Sequence, residues 1–302
     1  MSKVNLAYSV RQRLINLSRK RNEDYNLVLI WYAIERLLYR IAKSRYRDKF
    51  ILKGAMLFSV WASKPYRSTK DLDLLGAGDS SDEGIKSVFR EICSLQVEPD
   101  GLEYDASSIE ITDIREDEEY QGKRVFLLAR LENARIRLQI DIGFGDVVVP
   151  EARKINYPTL LNFPPPNILA YPPETFVAEK LQAIVSLGTT NSRMKDYHDL
   201  WIVCRKFDFE GQELVKAVTS TFSRRNTNIP SSLPIGLTKD FADDDVVKTR
   251  WRAFLNKSDL SEKQMDISEV IHDLEVSVSE PLFTAADRKS IDKSWSAGGP
   301  WK

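Results

Sequence analysis

The sequence predicts an α+β fold: an antiparallel β-meander with helices on one side, followed by a second lobe made of helices. Apolar residues recur at spacings of three and four in the opening third, which is the helical period. Alternating strand-like runs crowd the stretch from 71 to 142, and the pattern beyond a proline cluster is helical again. At 302 residues the chain exceeds the roughly 100 to 200 of one domain, so two lobes are expected. With 42% hydrophobic and 10% aromatic residues it has material for a sizeable core, which excludes a disordered chain.

From Asp24 onward, Leu27, Ile30, Trp31, Ile34, Leu37, Leu38 and Ile41 share one helix side, and Arg36, Arg40 and Lys43 are expected on a basic outer side. Lys53 to Ala62 reads as a short apolar helix entered through Gly54 and stopped at Lys64-Pro65. Asp71 to Leu75 alternates as a strand and is closed by Gly76-Ala77-Gly78. Asp82 to Leu95 is a surface helix with Ile85, Val88, Phe89 and Ile92 inward. Strands are expected at Ile109–Ile114, Val125–Leu131 and Arg135–Ile142. A polar connection, Glu116 to Gly122, separates the first two, and the last two form a hairpin about a turn at Glu132-Asn133-Ala134. Six of the thirteen prolines lie between Pro158 and Pro173, which marks a lobe boundary. Helices follow at 174–186, 195–204, 212–224, 245–256 and 262–280. The resulting division is a core lobe at 1–156, a linker at 157–173, a helical lobe at 174–290 and a disordered tail at 291–302.

Net charge is zero, with 44 basic and 44 acidic residues, but the sum conceals an asymmetry. Residues 1–50 carry twelve Lys/Arg and four acids, a net +8; residues 79–119 carry fourteen acids and three bases, a net −11. A basic segment can face a polyanion in a neutral protein, and solvated helix faces with an acidic surface loop would give the same count. Cys93 and Cys204 stand among apolar neighbours, as reduced core thiols do, and two cysteines cannot make a disulfide scaffold or a cysteine zinc site. No apolar run reaches the roughly 18 residues that cross a bilayer, and Met1 to Asn5 opens no signal-peptide core; a cytoplasmic protein without a membrane partner is expected.

Asp71 and Asp73 carry the sharpest chemistry. Residues i and i+2 of a strand share a face, so the two carboxylates project together while Leu72 and Leu74 face the core. Adjacent acids repel, and a hard cation such as Mg²⁺ would neutralise them; an acidic exposed strand face would read the same way. Between Arg135 and Ile142 the even positions are apolar, which places Asp141 with Arg137 and Gln139 on the other face. If that strand neighbours the first, three carboxylates converge on a surface able to hold two metal ions about 3.5–4 Å apart. Upstream, Lys53-Gly54-Ala55 could admit a phosphate close to the backbone, or be an ordinary strand-to-helix turn.

Five segments in order, Lys53-Gly54-Ala55-Met56-Leu57, Arg67-Ser68-Thr69-Lys70-Asp71-Leu72-Asp73-Leu74, Asp141-Ile142-Gly143-Phe144-Gly145-Asp146, Glu179-Lys180-Leu181-Gln182-Ala183 and Arg193 to Leu200, resemble the AbiEii/AbiGii nucleotidyltransferase toxins, which include the MenT toxins. The likeness runs from about residue 5 to about residue 260. It implies a minimal polymerase-β-like nucleotidyltransferase core, a mixed or antiparallel sheet with flanking helices, and a helical C-terminal lobe. It also implies the toxin half of a toxin–antitoxin or phage-defence module, with a cognate DNA-binding antitoxin and transfer of NMP from an NTP to RNA, the tRNA acceptor stem above all.

Carried over by position, the resemblance makes Asp71, Asp73 and Asp141 the Mg²⁺ ligands, with Asp141 also activating the acceptor hydroxyl. It makes Lys180 and Asp196 further catalytic residues and assigns nucleotide binding to Lys53, Gly54, Ala55, Arg67, Thr69, Lys180 and Asp199. On residue type alone, Lys180 also fits an exposed helix lysine, and Asp196 and Asp199 fit capping or salt-bridging acids. Gly54-Ala55 stands where the wider superfamily has Gly-Gly or Gly-Ser, so one hydroxyl contact to phosphate is missing. His198 reads as a partly buried helix residue rather than a base. Transfer to a protein or small molecule, and a non-catalytic NTP- or RNA-binding regulator, are the alternative functions.

Overall fold

A computed structural model describes residues 3–61, 69–115, 121–258 and 265–302. Its contacts divide the chain into two compact units. The first runs from the N-terminal helices through Gly145 and resumes at Arg153–Ala170; the second takes Asp146–Ala152 and Tyr171–Lys302.

The first unit contains α1 (Lys3–Arg21), α2 (Tyr25–Lys43), β1 (Phe50–Lys53), a 3₁₀ turn at Gly54–Leu57 running into α3 (Phe58–Trp61), β2 (Asp71–Gly76) and α4 (Asp82–Ser94). There follow β3 (Leu102–Arg115), β4 (Gln121–Leu131), β5 (Ala134–Phe144), β6 (Arg153–Asn156) and β7 (Asn167–Ala170). The seven strands lie in the order β3-β4-β5-β2-β1-β7-β6. The predicted meander is β3-β4-β5. Beside it β2 runs parallel to β5 and antiparallel to β1, and β7 runs parallel to β1, so the sheet is mixed.

One sheet face is the core: Leu72 and Leu74 of β2, Ile136, Leu138, Ile140 and Ile142 of β5, and Val125 and Leu127 of β4 are all buried. Helix α2 packs on β5 and β7, α4 on β3, and α1 on β4. Asp24 starts α2 by accepting the Leu27 N–H at 2.9 Å, and Ser81 caps α4 through the Gly84 N–H.

Four sequence expectations change in this unit. The stretch 157–170 is no linker: β7 is a strand of the sheet, Tyr157 N–H donates to the Pro166 carbonyl, and Leu160 N–H donates to the buried Glu35 carboxylate at 2.7 Å. The basic outer side of α2 is not there either. Arg36 and Arg40 are buried, because Asp100 reaches both: Arg36 Nε lies 3.2 Å and Arg40 Nη1 2.6 Å from its carboxylate. The acidic stretch is accordingly not all surface, since Asp100 is itself buried. β3 also starts earlier than the alternation suggests, at Leu102, and a register shift between Asp105 and Glu110 masks the period. The expected stop at Lys64-Pro65 and most of the Glu116–Gly122 connection lie outside the described residues.

The second unit holds α5 (Pro173–Leu187), α6 (Met194–Lys206), β8 (Phe209–Glu210), α7 (Gly211–Arg224), α8 (Lys239–Asp243), α9 (Asp245–Lys257), α10 (Ile267–Ala286) and β9 (Ser294–Trp295). Val177, Leu181 and Ile184 of α5, Leu214, Val218 and Phe222 of α7, and Val270, Leu274 and Val278 of α10 fill its interior. Cys204 is buried and Cys93, in the first unit, half-buried; burial pushes both thiols up to about 12, so neither is a nucleophile at neutral pH.

The tail expected to be disordered is ordered in the described fold, and α10 supplies the reason. The helix runs through Pro281, which has no N–H to donate to the Ser277 carbonyl four residues back. The Trp301 indole N–H makes that bond instead, at 2.9 Å. Trp295 pairs with Phe209 in the β8–β9 ladder and donates to the Cys204 carbonyl, and its ring lies 5.5 Å from that of Trp301.

Two stability experiments follow from these buried groups. Burial pushes the Glu35 carboxyl up to about 7, offset in part by the Leu160 N–H and by Arg36. The unfolded chain has an ordinary value near 4.5, so the favourable neutral form contributes fully below about pH 4.5 and its contribution is lost as pH rises through 7. Glu35→Gln stays neutral, and its stability relative to wild type should rise by up to about 1.4 kcal/mol per pH unit between pH 5 and 7. Urea denaturation at several pH values reads this, and a pH-independent difference would refute it. Trp301→Phe keeps an aromatic ring, smaller than the indole, but leaves the Ser277 carbonyl without its donor, which should cost about 1–3 kcal/mol in the same measurement.

Candidate active site

The polar face of the first unit's sheet carries the predicted acids. In the β2–β5 pairing, Asp71 lies opposite Gln139 and Asp73 opposite Asp141; Lys53 lies opposite Asp73 on β1, and Arg124 opposite Asp141 on β4. Paired residues share a face, so Lys53, Asp73, Asp141 and Arg124 form one row across four strands, with the two anions between two cations. Asp71 stands on the same face, two residues before Asp73. The strand faces follow the alternation in the sequence, and the sheet order puts the three carboxylates on one face.

Asp141 is not an open ligand. Arg124 grips it through Nε to Oδ1 at 2.8 Å and Nη2 to Oδ2 at 2.7 Å, and the Gln139 amide lies 3.3 Å from both oxygens. Asp71 and Asp73 offer hard carboxylate oxygens suited to Mg²⁺. Among the described residues, however, no group of three His, Cys, Asp or Glu side chains is placed to hold a metal ion. Asp71 and Asp73 have the donor chemistry for a hard cation, and the third carboxylate is held by Arg124 and Gln139.

Gly54 follows β1 with φ +69°. A Cβ built there would lie 2.0 Å from Asp73 Oδ2 and 2.7 Å from Asp73 Cβ, so the Asp73 side chain covers the glycine's missing side chain. Only glycine meets both requirements, backbone and space. Ala55 and Met56 are buried, which leaves the backbone as the part of Ala55 that could meet a phosphate. Thr69 is tied to the start of β2: its carbonyl accepts the Trp31 indole N–H at 2.8 Å, and its hydroxyl lies 3.4 Å from the Asp71 carbonyl. Arg67 lies outside the described residues.

The second unit places its predicted residues in a cluster of their own. Lys180 on α5 bonds Asp196 in the first turn of α6 and lies 3.7 Å from Asp199, which shares that helix face three residues on. Asp196 and Asp199 are buried, and the Lys180 ammonium sits 5.4 Å from the Phe176 ring centroid. Lys180 is thus not an exposed helix lysine. His198 is buried 3.6 Å from Asp199, with its ring against Phe254. Arg225, which the sequence did not single out, donates to Asp146 at 3.2 Å and to Gln182 at 2.9 Å and pairs with Glu179.

Arg124 was also missed, although its signal was present. Hairpin strands pair at a constant sum of positions, so the length of the turn decides the partner. A three-residue turn at 132–134 would set Val125 opposite Asp141. The observed two-residue turn, with φ +53° at Glu132 and Leu131 paired to Ala134, sets Arg124 there.

Residues 36–281 match the family model of the AbiEii nucleotidyl transferase toxin, a type IV toxin–antitoxin system. Two solved Helicobacter pylori structures are similar at a TM-score of 0.46 and 16% identity, each covering 84% of this chain: JHP933, of which 90% is covered, and a candidate nucleotidyltransferase, of which 93% is covered. No curated protein matches.

Gly54→Ala should destabilise the fold by about 2–4 kcal/mol through backbone strain plus overpacking. Because the clash is with Asp73, the same substitution should cost at least about 1 kcal/mol less in an Asp73→Gly background. A double-mutant cycle by urea denaturation measures this, and additive effects would refute the contact.

Proposed function

The chain belongs to the AbiEii nucleotidyl transferase toxin family of type IV toxin–antitoxin systems, and we propose that it transfers NMP from an NTP to an RNA end, the tRNA acceptor stem, and so blocks translation. Membership makes it a nucleotidyltransferase and implies an antitoxin as partner. The RNA acceptor, the arrest of translation and a DNA-binding antitoxin are our reading. The observation that carries it is the registered pair of Asp73 and Asp141, with Asp71 on the same face.

In the proposed reaction the acceptor hydroxyl oxygen attacks the α-phosphorus. The new P–O bond forms as the bond to the β-phosphate bridging oxygen breaks, and pyrophosphate leaves. Asp141 takes the hydroxyl proton. Asp71 and Asp73 would hold Mg²⁺, which would supply positive charge against the phosphoryl oxygens. Lys53 and the Gly54 backbone serve the triphosphate. On the strength of the motif match, Lys180 is assigned to phosphate, Asp196 to catalysis and Asp199 to nucleotide binding.

Exposed cations favour RNA as acceptor. Lys43, Arg45, Arg47 and Lys49 are exposed within seven residues, and Lys43 and Arg47 line a cavity of about 280 Å³ together with Lys154, Asn167 and Tyr39. Among the described residues no helix is long and apolar enough to cross a membrane.

Purified protein with each labelled NTP, Mg²⁺ and total tRNA should label RNA, and Asp71→Ala or Asp73→Ala should lower the rate by at least about a hundredfold. Label that survives RNase would identify a protein acceptor. No transfer with any of the four nucleotides would overturn the reading.

A further inference from the structure

We propose that Arg124 is a built-in competitor of divalent cations for Asp141, so that the resting chain takes up one cation at Asp71 and Asp73 and excludes a second. This rests on the reading that Asp71 and Asp73 form a cation site, and it deepens that reading by assigning the number of cations.

The guanidinium fork meets both Asp141 oxygens at 2.7 and 2.8 Å, the geometry of the strongest charge-assisted pairs. Gln139 adds its amide to the same two oxygens. A cation coming to Asp141 must break these bonds and approach a guanidinium whose charge does not titrate in this range. The pairing is fixed by the sheet, since Arg124 and Asp141 are register partners on adjacent strands and the backbone holds them face to face. The arrangement also solves a local electrostatic problem. Asp73 and Asp141 are register partners too, on strands about 4.8 Å apart, where two like charges repel. Arg124 neutralises one member of that pair from the β4 side, as a second metal ion would.

The grip can also be released. The Arg124 side chain keeps 35% of its surface exposed, and that of Asp141 keeps 18%. A guanidinium at a half-open edge of the row can swing into water without crossing the core, and its fork suits a phosphate as well as a carboxylate. Arg124 is therefore a positioning residue: it acts on the reacting groups through Asp141.

The test is a Mn²⁺ titration of the full chain followed by electron paramagnetic resonance, which counts bound ions without any turnover. Wild type should bind one ion, Arg124→Met two, and Arg124→Met with Asp141→Asn one again. Arg124→Lys keeps the charge without the fork and should weaken the second ion relative to Arg124→Met by about tenfold or more. A melting transition in each variant shows that it is folded. One ion in both wild type and Arg124→Met, or two in both, would overturn the role of Arg124 and leave the Asp71–Asp73 site standing. No ion in either would overturn both readings together.

Discussion

A strand that slips by one residue turns every side chain to the opposite face, so the site depends on the register that β2 keeps against β5. That pairing sets Leu72 beside Ile140 and Leu74 beside Ile142 on the core face, and Asp73 beside Asp141 on the other. The apolar contacts hold the register, and the acids inherit it. A slip would turn two carboxylates into the core and expose a row of aliphatic side chains, each costing on the order of 1.5–3 kcal/mol of lost burial. The proximity of the like charges is thus maintained by the buried half of the same two strands.

Opposed charge runs along the chain have a structural resolution. The basic N-terminal segment and the acidic stretch after β2 meet within one unit: Arg36 and Arg40 with Asp100 inside, Arg45 with Glu91 at 2.7 Å and Tyr39 with Glu98 at 2.6 Å at the surface. A buried carboxylate between two buried guanidiniums adds little to stability over an apolar equivalent, but losing one partner would strand a charge in the core. Among the described residues, the exposed cations of the first fifty are Arg19, Lys20 and Arg21 at the end of α1 and Lys43, Arg45, Arg47 and Lys49 at and after the end of α2, so Arg36 and Arg40 are withdrawn from the basic set that the sequence suggests.

Much of this was legible in advance, for local reasons. The helices of the second unit were predicted to within a residue or two at four of five sites, because Pro172-Pro173, Asp244 and the apolar period mark them. The faces of Asp71, Asp73 and Asp141 followed from alternation. What the sequence hid was non-local. β6 and β7 are four residues each and lie among prolines, so only their neighbours in the sheet make them strands. Burial of Arg36 and Arg40 needs a carboxylate sixty residues away. The tail is held because Pro281 leaves Ser277 a carbonyl to satisfy, a debt visible only once Trp301 lies over it.

Gly54 and Asp73 also constrain what descent can do to this chain. With the aspartate's Cβ and Oδ2 both inside the space of any side chain at 54, the two positions are not independent characters. A lineage that replaces the glycine must first vacate or displace the aspartate, and one that loses the aspartate lifts the spatial constraint at position 54 while the backbone constraint of φ +69° remains. Inactive descendants should therefore be recognisable by a paired change, with position 54 drifting only after position 73 has been released.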